Sequence, residues 1–420
     1  MTLYQVLPRL WGRGKFSDWD VETFAYLKTL GVTHVWLTGI PRHATGADFV
    51  KGDPGSPYSV CDWYDVNPYL SDKPSGRIEE FRQLVQRAHA EGLKIITDFI
   101  PNHVARNYSG PLKLKPWCDY DWTDTLKVDY SQRATWDEML RVLRFWTEIG
   151  VDGFRCDMAE LVPLEFLSWL ISSVKAEKPD TVFIAEAYLR ENYRPFAECA
   201  GFDLLYDKSG EYDTLRRIAA GADVAQLRSN WQFLGDLQPR MLNFLENHDE
   251  VRLPAPSFAA LGAASLFNRA SFMIYFGGEI GENAAGSENS RTSIFNWERI
   301  PSIERLVRHI HGEEALSSFE KSTLERYTAA MQLSTRVRDW DNYDLSWCNG
   351  GRIYPFLRFD GDCCLLIVCN FSDEPADCLL RIPEDARRLS GTPLGWAEIS
   401  VKADDFACIE LPVDKSEKIG

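Results

Sequence analysis

Eight short apolar runs, most of them followed by a segment with helical spacing, constrain this chain more than any other feature. They fall at residues 3–7, 34–38, 94–100, 153–157, 181–186, 202–206, 241–245 and 272–276, and polar residues cluster just after several of them. The intervening segments 21–30, 77–91, 134–149, 164–175 and 211–220 read as helices, as does most of 303–336. Short apolar strands alternating with helices predict a parallel sheet, and eight of them predict a closed (β/α)8 TIM barrel of the α/β class. After about residue 343 the pattern changes. LRFDGDCCLLIVCNFSDEPADCLLRIP reads as strands joined by turns, with no helix between them, which predicts a C-terminal antiparallel β-sandwich. The expected division is therefore a barrel from 1–103 and 132–343, a short insertion after strand 3 at 104–131, and a sandwich at 344–420.

A net charge of −16, from 46 basic and 62 acidic residues, argues against nucleic acid and anionic membrane as partners. The start, MTLYQVLPRLW, lacks a basic segment followed by an apolar stretch, and no apolar run reaches the length of a membrane span. The expectation is a cytoplasmic protein with reduced thiols, although a chain trimmed of an export signal would read the same. The ten cysteines show no metal-ligand spacing. Fourteen Trp and 16 Tyr suit a site that stacks rings on sugar faces, and a large core would produce the same count.

The residues that can carry chemistry sit at strand ends, where barrels of this kind build their sites. In order they are Asp98 with Asn102 and His103, Arg155 with Asp157, Glu186, and His248 with Asp249. Side chains alternate along a strand, so Gly153, Arg155 and Asp157 face one way, while Phe154 and Cys156 face the other. A structural ion pair is one reading of Arg155 and Asp157. Carboxylates on adjacent strands are also what glycoside hydrolysis or transfer needs, as nucleophile and acid/base about 5 Å apart in retaining enzymes. The sequence offers neither a nucleophile elbow nor a glycine-rich phosphate cradle.

Four motifs then carry a resemblance. DFIPNH (98–103), GFRCD (153–157), the glutamate of FIAEAY (186) and ENHD (246–249) follow strands three, four, five and seven. Together they resemble the α-amylase family of glycoside hydrolases, family 13, and PYSVCDWYDVNP (57–68) resembles its aromatic segment after strand two. The resemblance implies Asp157 as nucleophile, Glu186 as acid/base and Asp249 as stabiliser of the oxocarbenium-like transition state. It implies His103 and His248 as ligands of the reacting sugar, Tyr58 as its stacking floor, and Arg155 as the cation keeping Asp157 ionised. Asp98 and Asp62 read as structural, with Asp98 placed to pair with Arg155. Trp63, Trp117, Tyr120 and Trp122 are candidates for outer subsites or for packing.

The chain departs from the common family pattern after the nucleophile. Where many members carry two small residues, a lysine and a histidine, it has Met158, Ala159, Glu160 and Leu161. Glu160 is accordingly expected to contact substrate on the leaving-group side. Calcium wants six to eight oxygens; beyond Asn102, and Asp119, Asp121 or Asp124, the sequence supplies none, so no cofactor or calcium is expected as a requirement. The activity implied is a retaining α-glycosidase of the α-amylase type acting on α-1,4-glucans or maltooligosaccharides, as in starch degradation. A transglycosylase, an α-glucosidase and a non-catalytic glycan-binding relative are the alternatives.

Overall fold

The computed structural model describes residues 1–285 and 287–414. Eight parallel strands close on themselves: β1 (Thr2–Val6), β2 (His34–Leu37), β3 (Lys94–Phe99), β4 (Gly153–Cys156), β5 (Val182–Ala185), β6 (Leu204–Tyr206), β7 (Met241–Phe244) and β8 (Ser271–Tyr275). Their order around the barrel is β1-β8-β7-β6-β5-β4-β3-β2, so each strand lies beside its sequence neighbours. The strands are almost entirely buried, as expected where helices cover the outside of a parallel sheet. The helix Arg133–Ile149 shows how that cover is made. It buries a stripe of Met139, Val142, Leu143 and Trp146 and ends at Gly150, whose φ of 115° a side chain would resist.

Packing groups the chain into two compact units. One comprises Met1–Tyr206, Glu246–Pro254 and Met273–Lys321; the other comprises Asp207–Leu245, Ala255–Phe272 and the chain from Ser322. Every residue of the candidate site belongs to the first.

Within that unit, β4 sits where the register matters most. Arg155 lies opposite Asp98 on β3 and Ile184 on β5. Phe154 points outward into rings of Phe99 and Phe183, 6.4 and 5.7 Å away by centroid. Gly153 lets the two strands meet, since a Cβ there would stand 2.6 Å from the Val182 carbonyl oxygen. Two segments between barrel strands carry short pairings of their own. Residues 39–73 contain an antiparallel pair, Pro41–His43 with Val60–Val66, and the strand-3 insertion contains His103–Ala105 paired with Thr125–Lys127. Trp63 is consequently a core residue, 1% exposed and against Phe99.

The second unit carries the C-terminal sheets. Strands β9 (Asp341–Asp344), β10 (Ile353–Phe359), β11 (Cys364–Asn370) and β14 (Asp405–Leu411) form one antiparallel sheet, and β12 (Ala376–Arg381) pairs with β13 (Trp396–Val401) in another. Leu357, Leu366 and Val368 of the larger sheet share one core with Leu380, Ile399 and Val401 of the smaller. A short helix, Glu384–Ser390, joins the paired strands, and the helices Ala225–Leu234 and Phe258–Leu266 also lie in this unit; the apolar pattern marked none of the three. All ten cysteines are free thiols.

Candidate active site

Arg155 is the hub of the site. Its guanidinium is fully buried, with Nη1 2.5 Å from Asp157 Oδ1 and Nη2 2.7 Å from Glu186 Oε1. The second contact is an ion pair rather than a well-aligned hydrogen bond. Asp98 Oδ1 stands 3.8 Å from Nη1. Rings of Trp36, Tyr58 and Tyr206 box the cation at 5.4, 5.3 and 5.6 Å, offering their negative faces to a charge that has lost its water. A buried arginine is tolerable only with such partners.

The carboxyls around it respond to burial. Desolvation raises Asp157 and Glu186 above the usual carboxylate range, and the Arg155 charge opposes this in both. Asp98 is pushed up to about 7, chiefly by burial, with Gly39 N donating to its Oδ2 at 3.3 Å. Glu186 also accepts from Met158 N at Oε2 and from the Tyr188 hydroxyl at Oε1, both at 2.7 Å.

The two histidines are kept neutral. Burial lowers His103 to about 4 and His248 to about 3, the latter with help from Arg155. Gln5 Nε2 lies 2.7 Å from His248 Nδ1, so that nitrogen accepts, and Nε2–H is left to face the Tyr58 hydroxyl at 2.5 Å and Asp249 Oδ2 at 3.1 Å. Tyr58 in turn reaches Asp98 at 3.4 Å and stacks on the His248 ring at 19°.

Tyr58, His103, Asp157, Glu186, His248 and Asp249 line a single cleft of about 560 Å3. Five strand ends far apart in sequence thus converge. The cleft offers two buried carboxyls bridged by one cation, a half-exposed third carboxylate and two neutral imidazoles. Such a set can transfer a proton, supply an anionic nucleophile and stabilise a developing cation.

The comparisons with known proteins agree with this chemistry. The sequence model described as "Alpha amylase, catalytic domain" matches residues 18–113. An alpha-1,4-glucan:maltose-1-phosphate maltosyltransferase of Picrophilus torridus is 28% identical over 233 residues, covering 48% of this chain and 35% of that protein. Alpha-amylase MalA of Haloarcula japonica is 23% identical over 460 positions, covering 99% of this chain and 62% of the relative. The chain is thus similar to α-amylase-family proteins in sequence over part of its length and in fold throughout. In fold it is similar to the solved maltogenic alpha-amylase AmyB of Thermotoga neapolitana, with a TM-score of 0.73 over 98% of this chain and 96% of that one, at 22% identity. The chain spans 35% and 62% of the lengths of the two relatives named.

Calcium, which many members of the α-amylase family bind, does not fit the residues present. Asn102 Oδ1 is a buried oxygen without a hydrogen-bond partner. Its neighbour Asp119, however, takes the Lys127 ammonium on both oxygens at 2.7 and 3.0 Å as well as Asn102 Nδ2 at 2.8 Å. Asp124 has the Lys51 ammonium at 3.7 Å. One free amide oxygen beside carboxylates already matched by lysines falls far short of six to eight ligands.

Glu160 corrects the expectation drawn from the family pattern. Its carboxylate accepts from Leu189 N at 2.8 Å and Asn192 Nδ2 at 2.9 Å, and it is not part of the cleft lining. The turn at Met158, with φ 44° and ψ 46°, redirects the chain after Asp157 and carries Glu160 toward the loop after β5. Of the four candidate aromatics, Tyr120 and Trp122 line the cleft; Trp117 stands outside it with Lys115 and Lys127 over its ring. Lining residues that the motifs did not mark include Lys51, Met158, Tyr188 and Phe295. Tyr188 had a signal, since it stands two residues beyond Glu186, the spacing that returns a side chain to the same face of an extended segment.

Proposed function

We propose that this chain is a retaining α-glycosidase acting on α-1,4-linked glucans through a covalent glycosyl–Asp157 intermediate. The observation that carries the reading is the Arg155 bridge: one guanidinium holds Asp157 and Glu186 close together at the ends of successive strands. A shared cation favours the narrow carboxyl gap of retaining enzymes, about 5 Å, over the wider one that admits a water.

In this reading Glu186 gives its proton to the glycosidic oxygen as that bond breaks. Asp157, with Oδ1 held by Arg155, attacks the anomeric carbon with Oδ2 and forms the ester. Glu186, now a carboxylate, takes a proton from water as the water's oxygen displaces Asp157. Arg155 opposes the burial that raises Asp157 and so favours its anion, while burial beside Asp157 and Asp249 makes Glu186 an acid worth using. Asp249 offers a negative charge to the cationic transition state, and neutral His103 and His248 are available for sugar hydroxyls.

A second reading, transfer of the glycosyl group to an acceptor sugar, is supported by the similarity to the Picrophilus torridus maltosyltransferase. It differs only in what accepts the group from Asp157. Asp157→Asn and Glu186→Gln assayed on maltoheptaose, with and without added maltose, test both readings. Turnover should fall by roughly three orders of magnitude or more in each variant. Near-parental turnover in either would refute the mechanism, and longer products in the presence of maltose would favour transfer.

A further inference from the structure

The carboxyl that serves as acid/base in this reading is held by one cation and two hydrogen-bond donors, unequally divided between its oxygens. Oε1 receives the Arg155 guanidinium and the Tyr188 hydroxyl, each at 2.7 Å. Oε2 receives only the amide of Met158, at 2.7 Å. A proton on Oε1 would set a hydroxyl against the Arg155 cation and the Tyr188 donor. A proton on Oε2 meets a single amide, whose hydrogen bond a carboxylic hydroxyl oxygen can still accept. The Tyr188 phenol is itself pushed well above its ordinary pKa by burial and by the charge of Glu186, so it stays a donor throughout.

The segment that presents Tyr188 has little packing to hold it. Leu189 is 51% exposed, and the turn Arg190–Asn192 that follows has no buried residue. Glu160 supplies the hold, binding Leu189 N and Asn192 Nδ2 across from the chain that follows β4. Met158 stands at the start of that chain in the left-handed region, a conformation costly for a long side chain, and it turns its amide onto Oε2.

We propose that Tyr188 is a positioning residue for the acid/base: together with Arg155 it keeps Glu186 Oε1 an acceptor, confines the transferable proton to Oε2, and is itself held in place by Glu160. The inference rests on the functional reading above and deepens it. The ionisable groups that act on Glu186 besides Tyr188 are Arg155, Cys156 and Asp157 from β4 and its end, His103 after β3, Tyr206 from β6, and His248 and Asp249 from the loop after β7. None of these changes when Tyr188 loses its hydroxyl, so a shift in the Glu186 titration reports that one hydrogen bond.

The test compares the parent, Tyr188→Phe and Glu160→Gln through pH profiles of kcat/KM on maltoheptaose and on an aryl maltoside with a nitrophenol leaving group. Removing a donor from the carboxylate favours its protonated form. In Tyr188→Phe the alkaline limb should therefore move up by about half to one pH unit. On maltoheptaose, whose leaving group needs a well-placed proton, kcat/KM should fall about tenfold; on the aryl maltoside, which needs none, it should fall less than about twofold. Glu160→Gln should move the same way by less, since it acts through the loop. An unmoved alkaline limb in Tyr188→Phe, or equal losses on both substrates, overturns the inference. A parent inactive on both substrates overturns the functional reading, and this inference with it.

Discussion

Arg155 Nη1 stands 2.5 Å from Asp157 Oδ1, two residues further along one strand, and the other end of the same guanidinium meets Glu186 on the next. Because one cation serves both carboxyls, their protonation states are linked through it. Whatever weakens the hold on one oxygen changes the field at the other.

Arg155→Met should therefore be far more damaging than the loss of one ion pair. It leaves two buried carboxyls without a counter-ion, a change that costs about 3–5 kcal/mol when one partner of a buried pair is removed. Calorimetry should show a clearly lowered Tm at neutral pH, and kcat on maltoheptaose should fall at least about a hundredfold. Arg155→Lys should recover part of the Tm and little of the activity, because an ammonium cannot reach both carboxyls as a planar fork does.

Gly153→Ala tests the junction of β4 and β5 without touching a polar group. The new methyl would meet the Val182 carbonyl at 2.6 Å, and a backbone atom cannot swing aside. Overpacking of this kind costs about 1–3 kcal/mol, read as a lowered denaturation midpoint. Activity per folded molecule should also fall, since Arg155 and Asp157 ride on the displaced strand.

Chelation should leave the parent's Tm and activity unchanged, because the Lys127 ammonium supplies the positive charge at Asp119. Lys127→Ala removes that charge and should lower the Tm by a few degrees, with Lys127→Arg restoring much of it. Loss of the parent's fold or activity in excess chelator would contradict this account.

Glu211 makes stability depend on pH in the second unit. It is buried beside Asp207, with Asn230 Nδ2 donating to both carboxyls, at 2.9 Å to Asp207 and 3.3 Å to Glu211. Burial, then the Asp207 charge, pushes it up to about 8. The folded chain thus binds the proton more tightly than the unfolded one, so this group's contribution is complete below about pH 4 and is lost as pH rises toward 8. Glu211→Gln should show a smaller fall in Tm than the parent between about pH 5 and 9, measured by calorimetry across that range.

The barrel was legible because its signal is redundant: each apolar run predicts a strand, and eight in alternation leave few other folds. The small hairpin Pro41–His43 with Val60–Val66 was not, since its first strand is three residues long and its pairing register shifts twice. Missing it also hid Trp63, which reads as a loop aromatic until the strand turns it into the core. The convergence of Tyr58, His103, Asp157, Glu186, His248 and Asp249 followed from strand ends, a rule of topology. The destination of Glu160 did not, because it depends on a left-handed turn at Met158, a residue type that ordinarily avoids one. Tyr188 escaped notice because its two-residue spacing from Glu186 says which face it shares, not which side-chain oxygen it meets.

Counted in protons rather than residues, the floor of the cleft carries less charge than its carboxyls suggest. Asp98, at about 7, is near half-protonated in neutral solution; burial raises Glu186 toward its acid form; Arg155 offsets Asp157. Carboxyls still outnumber cations in the lining, with Asp121, Asp124 and Asp249 beside the bridged pair and Lys51 among them. An uncharged polyol that enters meets a field favouring positive charge developing on it, and protons it would need for bond breaking are already stored there.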